Sequence, residues 1–132
     1  MWIYSVTGFV SVVQDRDDLD TLVVRGRLKA DVDAFCARAC DLYDQCELDA
    51  PRPTVQHTPK ADYHYRVRIP REVFGLMLQV LVREIDYGNF KSAVGERQGH
   101  ARKSVYHRVW SETVLLAEEC QPLSASAQRR KP

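Results

Sequence analysis

The chain has 132 residues, 45% hydrophobic and 28% charged, the balance of one globular domain that needs neither disulfide nor metal to fold. No apolar run approaches the ~20 residues of a membrane span, and the opening Met1-Trp2-Ile3-Tyr4-Ser5 lacks the basic segment of a signal peptide, so the expected address is the cytoplasm, with reduced cysteines. The net charge of +1 hides a polarity: residues 1–50 carry ten acidic and five basic side chains, residues 51–132 eight acidic and fourteen basic, so an anionic partner is expected on the second part.

Trp2 to Val6 and Phe9 to Val13 are aromatic and β-branched, predicting two strands joined at Thr7-Gly8. Four aspartates within Gln14 to Asp20 read as an exposed turn before a third strand over Thr21 to Arg27. From Asp31, placed to cap a first turn, Val32, Phe35, Cys36, Ala39, Cys40 and Tyr43 recur at helical spacing. Pro51-Arg52-Pro53 forbids continuation of that helix and forces a loop before Thr54 to His57. Tyr63, Tyr65, Val67 and Ile69 alternate with His64, Arg66 and Arg68, the pattern of a strand buried on one face. Pro70 ends that strand and leads into a helix with Val73, Phe74, Met77, Leu78, Leu81 and Ile85 on one stripe, expected to be the most buried helix. Asp86 to Asn89 breaks it, and Asn89 is placed to cap a short helix with Phe90, Ala93 and Val94. A last long helix from about Ala101 is predicted from Val105, Val109, Thr113, Leu116 and Ala117.

The expected architecture is therefore α+β. A single antiparallel sheet of four to five strands is covered on one face by three to four helices, concentrated toward the C-terminus. One domain over 1–120 and a disordered tail over 121–132 are expected from the Ser/Ala/Gln-rich ending.

The segment from Asp86 to Trp110 holds most of the chemistry. Lys91, Arg97, Arg102, Lys103 and Arg108, with His100 and His107, are interleaved with Tyr87, Phe90, Tyr106 and Trp110. Cationic groups neutralise phosphates and exposed rings stack on bases, so this composition suits nucleic acid or another acidic partner. The same residues also make an ordinary solvated helix face with aromatic core anchors. His100 and His107 are seven apart, two turns of a continuous helix, too far to share one metal. With Glu96 they would be the candidate residues of a small hydrolase or nuclease, which needs convergence on one point. Cys36, Cys40 and Cys46 with His57 lack the two-residue knuckle spacing of structural zinc sites, and the first two read as small core hydrophobes. His64, Arg66 and Arg68 would form a positive strip if helices leave their sheet face open, or would pair across strands with acidic neighbours. No nucleophile elbow, Walker loop, dinucleotide-binding glycine turn or metalloprotease helix occurs. No catalytic residue, metal ligand or cofactor is assigned.

Met1-Trp2-Ile3, Gly8 to Val13, Thr58 to Tyr63, Asn89-Phe90-Lys91 and Tyr106 to Trp110, taken in order, resemble a group of small proteins encoded in bacterial, phage and plasmid genomes and without an established activity. The resemblance covers about residues 1–114 and implies a compact stand-alone domain; it transfers no catalytic residue. The stretch from Cys40 to Arg52 is longer than such relatives lead one to expect. The functional expectation is a non-enzymatic binding or accessory module whose partner, protein or nucleic acid and not membrane, meets the basic 91–108 segment.

Overall fold

The computed structural model describes residues 1–45 and 51–116. Cys46, Ala117 and the tail over 121–132 lie outside them. The protein is α+β, with one antiparallel five-stranded sheet and four helices, and it divides into two compact units, one over Met1–Phe90 and one from Lys91. No helix of the described residues is long and apolar enough to cross a membrane.

In the first unit, β1 (Trp2–Ser5) and β2 (Gly8–Gln14) pair as a hairpin in the register Ser5↔Gly8. The turn therefore falls on Val6 and Thr7, one residue earlier than expected. Ser5 Oγ fixes it by accepting from the amides of Thr7 and Gly8, both at 3.2 Å. A Cβ at Gly8 would lie 2.7 Å from Asp31 Cγ, so only glycine fits against that carboxylate.

The aspartate-rich turn follows. Asp15 and Asp18 each bond an amide two residues on, those of Asp17 and Asp20, at 3.0 Å, the self-bonding that suits aspartate to turns. β3 (Thr21–Gly26) then pairs back on β2 and α1 (Lys29–Gln45) crosses the sheet. β4 (Gln56–His57) is a short edge, and β5 (Tyr65–Pro70) lies between it and β3 in the order β1-β2-β3-β5-β4. Proline 70, lacking an amide donor, passes the chain directly into α2 (Arg71–Arg83).

Register sorts the strand residues onto two faces. Val10, Val12, Leu22, Val24, Val67 and Ile69 point to α1 and α2 and join Val32, Phe35, Ala39, Val73, Phe74 and Met77 in the core. α1, not α2, is the more buried helix. It buries six residues against three, because it packs on β2, β3 and β5, whereas Ile85 lies beyond the end of α2 and is 58% exposed. Asp31 also departs from expectation. α1 begins two residues before it, and its buried carboxylate accepts from the Phe9 amide at 3.0 Å. From within the first turn it ties the helix to the hairpin. Arg38 holds α1 to the end of α2 through a two-oxygen contact with Glu84 at 2.9 and 3.0 Å.

The second unit consists of α3 (Phe90–Gln98) from Lys91 on and α4 (His100–Thr113), which starts one residue earlier than expected. Gly99 joins them with φ +86°, a left-handed conformation that favours glycine and allows a one-residue connection. Lys91 reaches His107, and a Cβ at Gly95 would lie 2.8 Å from Lys103 Cδ. The two helices therefore run back along each other as a hairpin. The buried residue of α4 is Tyr106. Val105, Thr113 and Leu116, expected on its apolar stripe, are exposed, because a two-helix hairpin buries only a narrow strip of each helix.

Candidate functional site

The basic segment is helical almost throughout, and the hairpin sorts its side chains. His100, Lys103, His107 and Trp110 follow one another at three- and four-residue spacing on α4, so they share one stripe. Lys91 comes from α3 to the same place. Its Nζ lies 4.0 Å from the centroid of the Trp110 ring and 3.4 Å from His107 Nδ1. An ammonium only donates, so Nδ1 is the acceptor in this contact. His107 stacks on Trp110 with centroids 5.6 Å apart and planes 15° from parallel. Trp110 is nevertheless 54% exposed, so this indole is a surface ring rather than the core anchor it also suggested. Ser111 and Thr113 hydroxyls bond the carbonyls of His107 and Trp110 at 3.0 and 2.7 Å and close the end of the helix.

The remaining predicted residues are not all drawn in. Arg102 turns to Tyr106, donating to its hydroxyl at 3.4 Å. Arg97 stands exposed near the end of α3, and Arg108 is exposed one residue, about 100° around the helix, from His107. His100 and His107 belong to one unbroken helix, so their backbones are about 10 Å apart along the axis. Among the described residues, Glu96, His100 and His107 form no group able to hold a metal. The arrangement offers a stacked ring pair and positive charge at one place.

Cys36 and Cys40 face the proline loop. Their Sγ atoms lie 3.2 and 3.8 Å from the Pro53 carbonyl, and burial, with Cys40 alongside, pushes the Cys36 thiol up to about 11. A thiol so resistant to ionisation is a donor that pins a loop, not a poised nucleophile. Cys46 lies outside the described residues.

A second concentration of functional-type groups lies on the sheet face opposite α1 and α2. The registers Trp2↔Ser11, Tyr4↔Phe9, Ser11↔Arg25 and Arg25↔Arg66 place all of these side chains on that face. Tyr4 stacks on Phe9 at 4.5 Å and Trp2 meets Phe9 edge-on at 5.9 Å. Arg25 and Arg27 both lie over the Tyr63 ring, at 4.7 and 4.9 Å. Burial, then the nearby Tyr63 hydroxyl, raises the Tyr4 phenol above its ordinary value, so it stays a hydroxyl donor at neutral pH. The strip His64, Arg66 and Arg68 does not act as one. His64 is exposed, Arg66 donates to Thr58 Oγ1 at 3.1 Å, and Arg68 pairs with Asp15 at 2.8 Å. The aromatic cluster and the addition of Arg25 and Arg27 escape a reading of single strands, since only the strand order brings β1, β3 and β5 onto one surface.

The Arg68 pair carries a pH signature. The Asp17 amide first, then the Arg68 guanidinium, holds the Asp15 carboxyl below its ordinary value of 3.8. A carboxyl whose folded value is depressed contributes stability that is fully present above the unfolded value and is lost as pH falls through the folded one. Thermal midpoints measured from pH 5 to pH 2 are expected to fall less steeply in Arg68→Met than in the wild type. Parallel curves would show that the pair contributes nothing.

Comparison with protein-family models, with curated proteins and with solved structures finds no match to this chain.

Proposed function

We propose that this protein is a non-enzymatic binding module for single-stranded nucleic acid, contacted through the α4 stripe and Lys91. One observation carries the reading: a half-exposed tryptophan with an ammonium 4.0 Å from its ring and an imidazole stacked beside it. An exposed ring accepts any base by stacking, and a flexible lysine at its edge can meet the adjoining phosphate. Lys103, Arg97 and Arg108 supply further cations on the same two helices. The segment from Lys91 to Arg108 holds five lysines and arginines against one acid, Glu96. An acidic protein partner would use the charge but leave the stacked ring pair without a purpose.

The test is binding of a fluorescent oligothymidine to the full chain at increasing salt. Neutralising three phosphates of a single strand at this stripe contributes about −2 to the slope of log affinity on log salt. Binding that ignores salt, or none at low salt, contradicts the proposal.

A further inference from the structure

We infer that the sheet face turned away from α1 and α2 is a second contact surface for single-stranded nucleic acid, its arginines holding phosphates and its Trp2 and Phe9 rings stacking on bases. The choice of ligand class rests on the reading above; the site does not, since it uses another unit and other residues.

The first support is an electrostatic conflict that the fold leaves standing. Arg25 and Arg66 are directly opposite on β3 and β5, and like charges in that position repel. Arg27 adds a third cation beside them, over the same Tyr63 ring as Arg25. Among the described residues, no ion pair to Arg25, Arg27 or Arg66 accompanies those of Lys29, Arg38, Arg52 and Arg68. By contrast Arg68, on the same face, is matched to Asp15. The Tyr63 ring is neutral, so it seats the guanidiniums without cancelling their charge. An anion does cancel it.

The second support is an unmet donor. Arg25 spends one terminal nitrogen on Ser11 Oγ at 2.9 Å, while its Nε is buried without a hydrogen-bond partner among the described residues. Buried donors are rarely left in that state unless a ligand or water serves them. Arg66 in addition lines, with Lys60 and Thr58, a shallow depression of about 550 Å³, which adds a fourth cation within reach of a bound strand.

The third support separates a nucleic acid from a bare anion. Next to the arginines stands a contiguous aromatic set, in which Trp2 is 65% exposed and Tyr4 and Phe9 are half-buried. An isolated phosphate has no use for rings, whereas a strand presents a base beside every phosphate.

The test uses the full chain and labelled oligothymidine, with Arg27→Gln/Arg66→Gln as one variant, Trp2→Ala as a second and Lys91→Ala/Trp110→Ala as a third. Removing two phosphate contacts lowers the salt slope by about 1.4. The arginine variant is expected to lose about tenfold in affinity at low salt and to show that lower slope. Its thermal midpoint should be unchanged or raised, because repulsion has been relieved. Trp2→Ala is expected to lose affinity on the order of fivefold to tenfold with the slope kept. Inorganic phosphate at millimolar concentration should compete only weakly. Affinity and slope equal to the wild type in the arginine variant overturn this inference. So does a loss of binding matched by a lower thermal midpoint in that variant and in Arg27→Gln alone. Unchanged binding in Lys91→Ala/Trp110→Ala instead contradicts the α4 reading and leaves this one intact.

Discussion

Trp110→Ala is expected to weaken oligothymidine binding by about 1–3 kcal/mol, on the order of tenfold to a hundredfold, the usual loss when one stacking ring is removed. The fold should be little changed, since the ring is more than half exposed and meets the His107 ring and the Lys91 ammonium at the surface. An exposed cation and ring contribute under about 1 kcal/mol to stability. Trp110→Phe keeps a ring for stacking and should recover most of the affinity. Anisotropy titrations at one low salt concentration read both effects. Equal affinities for the wild type and the alanine variant would show that the indole is not a contact.

Phe35→Ala carries the largest expected effect on stability. The ring is fully buried on α1, in a core with Val24 and Val67 from the sheet and Met77 from α2. Emptying such a site removes its transfer free energy and leaves a cavity, about 3–5 kcal/mol. Loss on that scale in a unit of this size lowers the thermal midpoint by more than about 10 °C. Urea unfolding followed by circular dichroism measures it directly, and a loss below about 1 kcal/mol would mean that α1 does not pack on the sheet as described. Gly26 belongs to the same contact. A Cβ there would lie 2.6 Å from Val32 Cγ2, so the helix and β3 meet where only a glycine lets them.

What the sequence discloses depends on how local the cause is. The alternation over Tyr65 to Ile69 and the helical spacing from Val32 to Tyr43 are readable because burial of one face imposes a period on neighbouring residues, whereas Tyr63, expected on the same face, precedes β5 and lies under Arg25 and Arg27. The role of Asp31 is not, because its partner, the Phe9 amide, is 22 residues away and no periodicity reports it. The buried strip of α4 escapes the sequence for a different reason: Val105, Thr113 and Leu116 have the spacing of a buried stripe, yet the side chain that goes inside is Tyr106. Periodicity locates a face without saying what covers it.

The candidate site divides along the same line. That Lys91, His107 and Trp110 belong to one basic, aromatic segment is visible from composition. That they meet follows from the one-residue turn at Gly99, which folds α3 back on α4. Arg97, Arg102 and Arg108, equal candidates by composition, are set apart by their positions around the helices. The sheet face is less legible still. Trp2, Arg25 and Arg66 come from three strands far apart in the chain, and only the order β1-β2-β3-β5 joins them.

The central claim is that a base stacks on Trp110, and the chain has two tryptophans, Trp2 and Trp110. Trp2→Phe therefore leaves one indole to report while preserving a ring on the sheet. Titrating that protein with oligothymidine at low salt, the account predicts saturable quenching of the remaining tryptophan emission, reversed by added salt. Emission unchanged at saturating oligonucleotide would contradict it.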